Sequence, residues 1–167
     1  ERIRVMEGNA LGLPFADGTF DAALCLEVAG DICVTAAQKR RLAKEAHRVL
    51  RPGARLGFSD LVFTGRPSRE EERAMRTILY HDGEELMTDW PGIFRANGFR
   101  IDRCEDIMEH TMKTWEHSLA VYEGRAAEVE RRYGRSVARR TMNHLRMIPD
   151  ILRKYGSFVV MSAERCA

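Results

Sequence analysis

The sequence has no apolar run long enough to cross a bilayer. Residues 22–26 and 158–161 are among its longest, against the roughly 20 residues that a spanning helix needs. Cysteine is scarce and scattered: Cys25, Cys33, Cys104 and Cys166 show no CxxC spacing. That argues against a zinc site and, without a secretory leader, against a disulfide framework, so no bound metal and reduced, cytoplasmic thiols are expected. Internal repeats, low-complexity tracts and Pro- or Ser-rich linkers are also absent, which leaves one domain over residues 1–167. Position 1 is Glu rather than an initiator Met, and no basic-then-apolar leader follows. The chain is therefore read as part of a domain whose start lies upstream.

What is present is enough apolar material for one core, at 44% hydrophobic over 167 residues. The net charge of +2 is close to balanced. Residues 125–154 gather an excess of Arg, but Glu128, Glu130 and Asp150 are interspersed. A solvated helix face explains that mixture better than a nucleic-acid surface, so nucleic acid is not an expected partner.

Around Ile3 and Val5 apolar and polar residues alternate, which predicts a short strand ending near Gly8, and Asp17 and Gly18 supply turn chemistry. Residues 20–28 form a near-continuous apolar run, as expected of a central strand covered on both faces. Thr35 can cap a helix running to Leu50, with Leu42, Ala46, Val49 and Leu50 as its apolar stripe and Pro52-Gly53 as its stop. Residues 55–63 read as the next buried strand, completing a strand-helix-strand crossover of α/β type. Ser68 with Glu70 and Glu71 opens a helix to about Tyr80, and a short helix over 89–96 follows. Residues 99–106 read as a third parallel-type strand, and 157–164 as a closing strand. Helical spacing over 114–133 and 136–155, broken at Gly134, predicts a second helical insertion. Segments 64–90 and 111–156 are together expected to cover a site as a lid on the same domain.

Several short motifs recur in one order with tight spacing: Gly8-Asn9-Ala10, Leu13-Pro14-Phe15, Phe20-Asp21, Leu26-Glu27 and the run from Arg48 through Pro52-Gly53. The ordered set resembles class I S-adenosylmethionine-dependent methyltransferases of the small-molecule type. It is close over residues 3–63 and elsewhere a matter of element order. The resemblance implies a Rossmann-like sheet, represented here by its C-terminal portion, with a helical substrate lid. It also implies S-adenosylmethionine as cofactor and a small-molecule acceptor as partner, with a homo-oligomer left open.

The same resemblance implies site residues. In relatives, Gly-Asp-Ala presents an acid and the next backbone N–H to adenine; here Asn9 replaces the acid between Gly8 and Ala10, with Leu11 following. An Asn can accept through its carbonyl oxygen or donate through its amide, although making a turn is its other common role. Leu26, through its backbone carbonyl, and Glu27 fall where relatives hold the methionine end. Ligands of open α/β sheets sit beyond the carboxyl ends of the strands, so 8–11, 27–31 and Asp60 should converge on one crevice.

The histidine that many relatives carry after Leu-Glu is replaced by Val28-Ala29-Gly30-Asp31. Three residues then compete as general base: His81 leads, because an imidazole ordinarily titrates near neutrality, with Asp31 and Asp60 behind it. For Asp60 the competing role is a helix or loop cap. A hydroxyl acceptor needs such a base, an amine needs only to arrive neutral, and a carbon acceptor would lean on groups such as Trp115, Tyr80 and Glu27. O-methylation leads. A dinucleotide-binding oxidoreductase and a non-catalytic Rossmann-like module are the competing readings.

Overall fold

A computed structural model describes residues 3–65, 68–71, 73 and 88–167. Four strands, β1 (Phe20–Leu26), β2 (Leu50–Phe63), β3 (Phe99–Asp106) and β4 (Gly156–Arg165), form one sheet in the order β1-β2-β4-β3. β1 and β2 are parallel and are joined by helices α1 (Ala29–Ile32) and α2 (Ala36–Val49). The short helix α3 (Trp90–Arg95) leads into β3. Helices α4 (Met108–Gly124), α5 (Ala126–Tyr133) and α6 (Arg135–Tyr155) lie between β3 and β4.

Local chemistry accounts for the helix ends. Thr35 accepts from the Gln38 backbone N–H (3.2 Å) while the Gln38 side chain accepts from the Thr35 backbone (3.0 Å), a reciprocal capping box that satisfies two otherwise unpaired donors. Thr35→Ala is expected to lower stability by about 1 kcal/mol. An unchanged urea midpoint of the full-length protein would show that the cap contributes nothing. Asp89 caps α3 by accepting from Gly92 N–H at 2.8 Å.

Four expectations change. Residues 3–8 are not a strand: Ile3 is 78% and Val5 92% exposed, and the segment ends in an isolated bridge between Asn9 and Gly12. Period-two patterning marks a pleat, but a strand exists only where a neighbour pairs its N–H and C=O groups. β1 is an edge strand of the described sheet, with Leu24 76% exposed, because an apolar run reports apolar faces and not which strands flank it. β3 runs in the same sense as β2, but both of them pair with β4, which inserts between them antiparallel. Finally, 114–133 is interrupted at Arg125, so the second insertion has three helices, the last two separated at Gly134 (φ 87°).

Two apolar clusters hold these layers together. Phe58, at the middle of β2, packs its ring 4.9 Å from that of Trp90 and 5.1 Å from that of Phe94, fastening α3 to the sheet. A second cluster of Phe63, Met108, Met112, Ile151, Leu152 and Phe158 fastens α4 and α6 to the far ends of β2 and β4. Arg48, which opens the motif run before Pro52-Gly53, is a half-buried clamp. It donates to the carbonyls of Leu13 (3.0 Å) and Phe15 (2.7 Å) and pairs with Glu45 and Asp17. Glu45 in turn accepts from Leu13 N–H at 2.9 Å, so α2 fixes the course of the loop after Asn9 by charge-assisted bonds.

Candidate active site

The site begins where β1 and β2 end side by side. Glu27 takes φ 56° directly after β1, a left-handed conformation that costs a non-glycine residue energy and is held here by its N–H bond to the Ser59 carbonyl (2.8 Å). The chain thereby turns sharply into α1, and Gly30 N–H reaches the Asp60 carboxylate at 2.6 Å. A Cβ on Gly30 would stand 3.3 Å from both Asp60 oxygens, so glycine permits this close approach.

Asp60 is 5% exposed. Its Oδ1 accepts from Leu61 N–H (3.0 Å), and the Trp90 side chain acts on the same carboxylate, lowering its pKa. Burial pushes its pKa up to about 6 and the nearby Asp31 charge pushes the same way, while the Gly30, Leu61 and Trp90 bonds oppose the rise. Asp60 therefore caps the start of α1 and also lines a cavity.

That cavity has a volume of about 530 Å³. Glu27, Gly30, Asp31 and Asp60 line one side, Phe63 and Phe158 the sheet end, and Thr111, Trp115, Ser118 and Leu145 the underside of α4 and α6. Trp115 stacks on His144 with ring centroids 5.7 Å apart, and burial lowers the pKa of that His. Trp90 shares the cavity wall while sitting in the main core. Cys25 and Cys33 lie close by, and burial pushes both thiols up to about 11.

The candidates do not all meet. Glu27, Asp31 and Asp60 share the cavity, whereas Gly8, Asn9, Ala10, Leu11 and Leu26 are not among its lining residues. The crevice rule locates the ends of paired strands, and residues 3–8 are unpaired. Asn9 is exposed, and its side-chain oxygen accepts from Leu11 N–H at 2.9 Å, so the turn role is realised and the amide nitrogen is left as the outward-facing group. Ala10 and Leu11 pack against the main core. His81 and Tyr80 lie outside the described residues. No group of three or more His, Cys, Asp or Glu placed to hold a metal occurs among the described residues, and no described helix is long and apolar enough to cross a membrane.

Sequence reasoning missed Lys39, which is 4% exposed and lines the cavity with its Nζ 2.6 Å from Thr88 Oγ1. The signal was available: Lys39 stands three and four residues before Leu42 and Ala43, in register with the buried stripe of α2.

A parallel β1-β2 pair joined through α1 and α2, a final antiparallel strand between β2 and β3, and a helical cover over the strand ends make up the Rossmann-like fold that the chain shares with solved methyltransferase structures. Residues 1–58 match the methyltransferase domain family. The chain is 34% identical over 107 residues to an O-methyltransferase of Aspergillus sclerotiorum, covering 61% of this chain and 38% of that protein. It is 25% identical over 127 residues to 27-O-demethylrifamycin SV methyltransferase of Amycolatopsis mediterranei, covering 74% of this chain and 45% of the relative. The chain therefore spans less than half the length of these curated relatives. Among solved structures, a Haemonchus contortus phosphoethanolamine N-methyltransferase in complex with S-adenosyl-L-methionine superposes with a TM-score of 0.74 at 15% identity, over 95% of this chain and 36% of that one.

Proposed function

We propose that the protein containing this chain transfers a methyl group from S-adenosylmethionine to a hydroxyl oxygen of a small-molecule acceptor, which sits in the cavity beneath α4 and α6. The observation that carries this reading is the buried Asp60 carboxylate, with a pKa raised to about 6, facing a cavity of about 530 Å³ at the ends of β1 and β2. That volume suits a small organic molecule. Two curated relatives are named for O-methylation, which favours oxygen over nitrogen or carbon.

The residues present fit an adenosyl group. A Cβ built on Gly8 meets no atom within 4 Å, so the backbone there is open to a flat ring, and the exposed Asn9 keeps its amide available to donate. Gly8 to Leu11 would hold the adenine end, and Leu26 and Glu27 the methionine end. When bound, S-adenosylmethionine supplies an electrophilic methyl group on a sulfonium. The chain's own contribution is to bind the acceptor under α4 and α6, exclude water with the apolar wall of Phe63, Trp115 and Phe158, and accept the hydroxyl proton on Asp60.

Calorimetry of the full-length protein should show S-adenosylhomocysteine binding and no binding of NAD. Asn9→Ala should weaken that binding by roughly 1–2 kcal/mol, the loss expected for one hydrogen bond to a partly buried partner. Binding of NAD instead would transfer the reading to an oxidoreductase, and unchanged affinity in the variant would remove Asn9 from the site.

A further inference from the structure

The inward face of α4 is not uniformly apolar. Met108 and Met112 are buried in the second core cluster and Trp115 packs against it, at the spacing of one helix face. Thr111 and Ser118 continue that face and line the cavity, at positions where packing alone would take apolar side chains. Thr111 satisfies its hydroxyl by donating to the Ile107 carbonyl at 3.3 Å, the local bond that a helical Ser or Thr makes to the residue four before it. Ser118 makes no such bond. Its half-buried hydroxyl has no hydrogen-bond partner among the described residues, and neither has that of Thr114, one turn earlier in the same cavity wall. No fully buried side-chain polar atom among the described residues lacks a partner, so the Ser118 oxygen is open to the space in front of it.

The cavity therefore carries polar groups on two of its walls. Asp60 stands at the strand ends, Ser118 and Thr114 under α4, and Phe63, Phe158 and the Trp115 indole supply apolar surface. The indole is braced by its stack on His144 of α6, with the ring planes 24° apart, so that wall offers a fixed flat face to an aromatic ligand. A ligand matching this pattern has a flat apolar body, one oxygen at Asp60 and a second at the α4 hydroxyls. A serine hydroxyl both donates and accepts, which suits a neutral hydroxyl on the ligand.

We infer that Ser118, with Thr114 beside it, determines acceptor specificity, selecting flat aromatic acceptors that carry a second hydroxyl apart from the one that is methylated. The inference rests on the methyl-transfer reading for the hydroxyl at Asp60, and on the cavity alone for the second one.

The test uses the full-length protein with S-adenosylhomocysteine present, titrated calorimetrically with 1-naphthol, 2-naphthol and the symmetric 1,5-, 2,6- and 2,7-dihydroxynaphthalenes. At least one diol should bind about 5- to 20-fold more tightly than its mono-ol, the roughly two-fold advantage of two equivalent hydroxyls multiplied by the 2- to 10-fold of one hydrogen bond. Ser118→Ala, which keeps α4 because Ala favours helix more than Ser does, should lower that ratio without weakening the mono-ol. Ser118→Ala combined with Thr114→Val should bring it to about two-fold, whereas Ser118→Thr, which retains the hydroxyl, should largely keep it. The inference is overturned if no diol in the set exceeds the two-fold advantage. It is equally overturned if the larger advantage survives in the double variant or, where that variant is unfolded, in Ser118→Ala. Binding of S-adenosylhomocysteine in the same samples is a separate readout. Its absence would sink the methyl-transfer reading while the diol-to-mono-ol ratio still decides the role of Ser118.

Discussion

Asp60→Asn should lower the proposed methyl transfer by the full-length protein by roughly 10²- to 10⁴-fold while leaving S-adenosylhomocysteine affinity unchanged. The substitution conserves shape and removes the proton acceptor. In the native protein kcat/KM should rise with pH through about 6, because in the proposed base role only the ionised carboxylate can take the acceptor's proton, and burial raises its pKa to that value. The variant should lose this limb. Cys25 and Cys33, raised to about 11 by burial, stay neutral across the window and do not produce it.

The same shift has a consequence for stability, with the opposite pH preference. A carboxyl whose pKa is raised in the folded state stabilises the fold when protonated. The contribution is complete below the ordinary value of 3.8 and is lost as pH rises through about 6. It is worth at most about 3 kcal/mol. Relative to Asp60→Asn, the native protein should therefore lose stability between pH 4 and 7, readable as a divergence of urea midpoints. If Asp60 serves only as the cap of α1, turnover of the folded variant would stay near normal. Loss in His81→Ala with normal turnover in Asp60→Asn would move the base to His81.

Phe58→Ala should destabilise the protein by about 3–5 kcal/mol, the range for deleting a buried aromatic ring. Phe58 is 1% exposed at the centre of β2, and its ring touches Trp90 and Phe94 from α3. The void would also release Trp90, which lines the same cavity as Asp60, so the proposed methyl transfer should suffer beyond the loss of folded protein. Phe58→Leu keeps most of the volume and should cost less than half as much. Equal unfolding midpoints for native and Phe58→Ala protein would mean that the α3 contact carries no stability.

The covering helices show why fold and site were legible to different degrees. Thr35 announced the start of α2, Gly134 the break before α6 and Gly156 the return to the sheet, because caps and breakers act within a few residues. The pairing of β3 could not be read the same way. Its Phe99 and Ile101 alternate with charged residues as a strand with one covered face does, but its hydrogen-bonded neighbour is β4, which follows some fifty residues later.

The sequence by itself determined the class: ordered short motifs and strand-helix-strand spacing are local records of how backbone turns, caps and apolar faces alternate. Tertiary structure alone decided which charges enter the cavity. Asp60 became a buried carboxylate because Gly30, Leu61 and Trp90 close around it, and Lys39 became a cavity cation because the start of α2 lies against Thr88. Burial is set by what folds over a residue from far along the chain, and both the pKa of a side chain and its access to a ligand follow from burial.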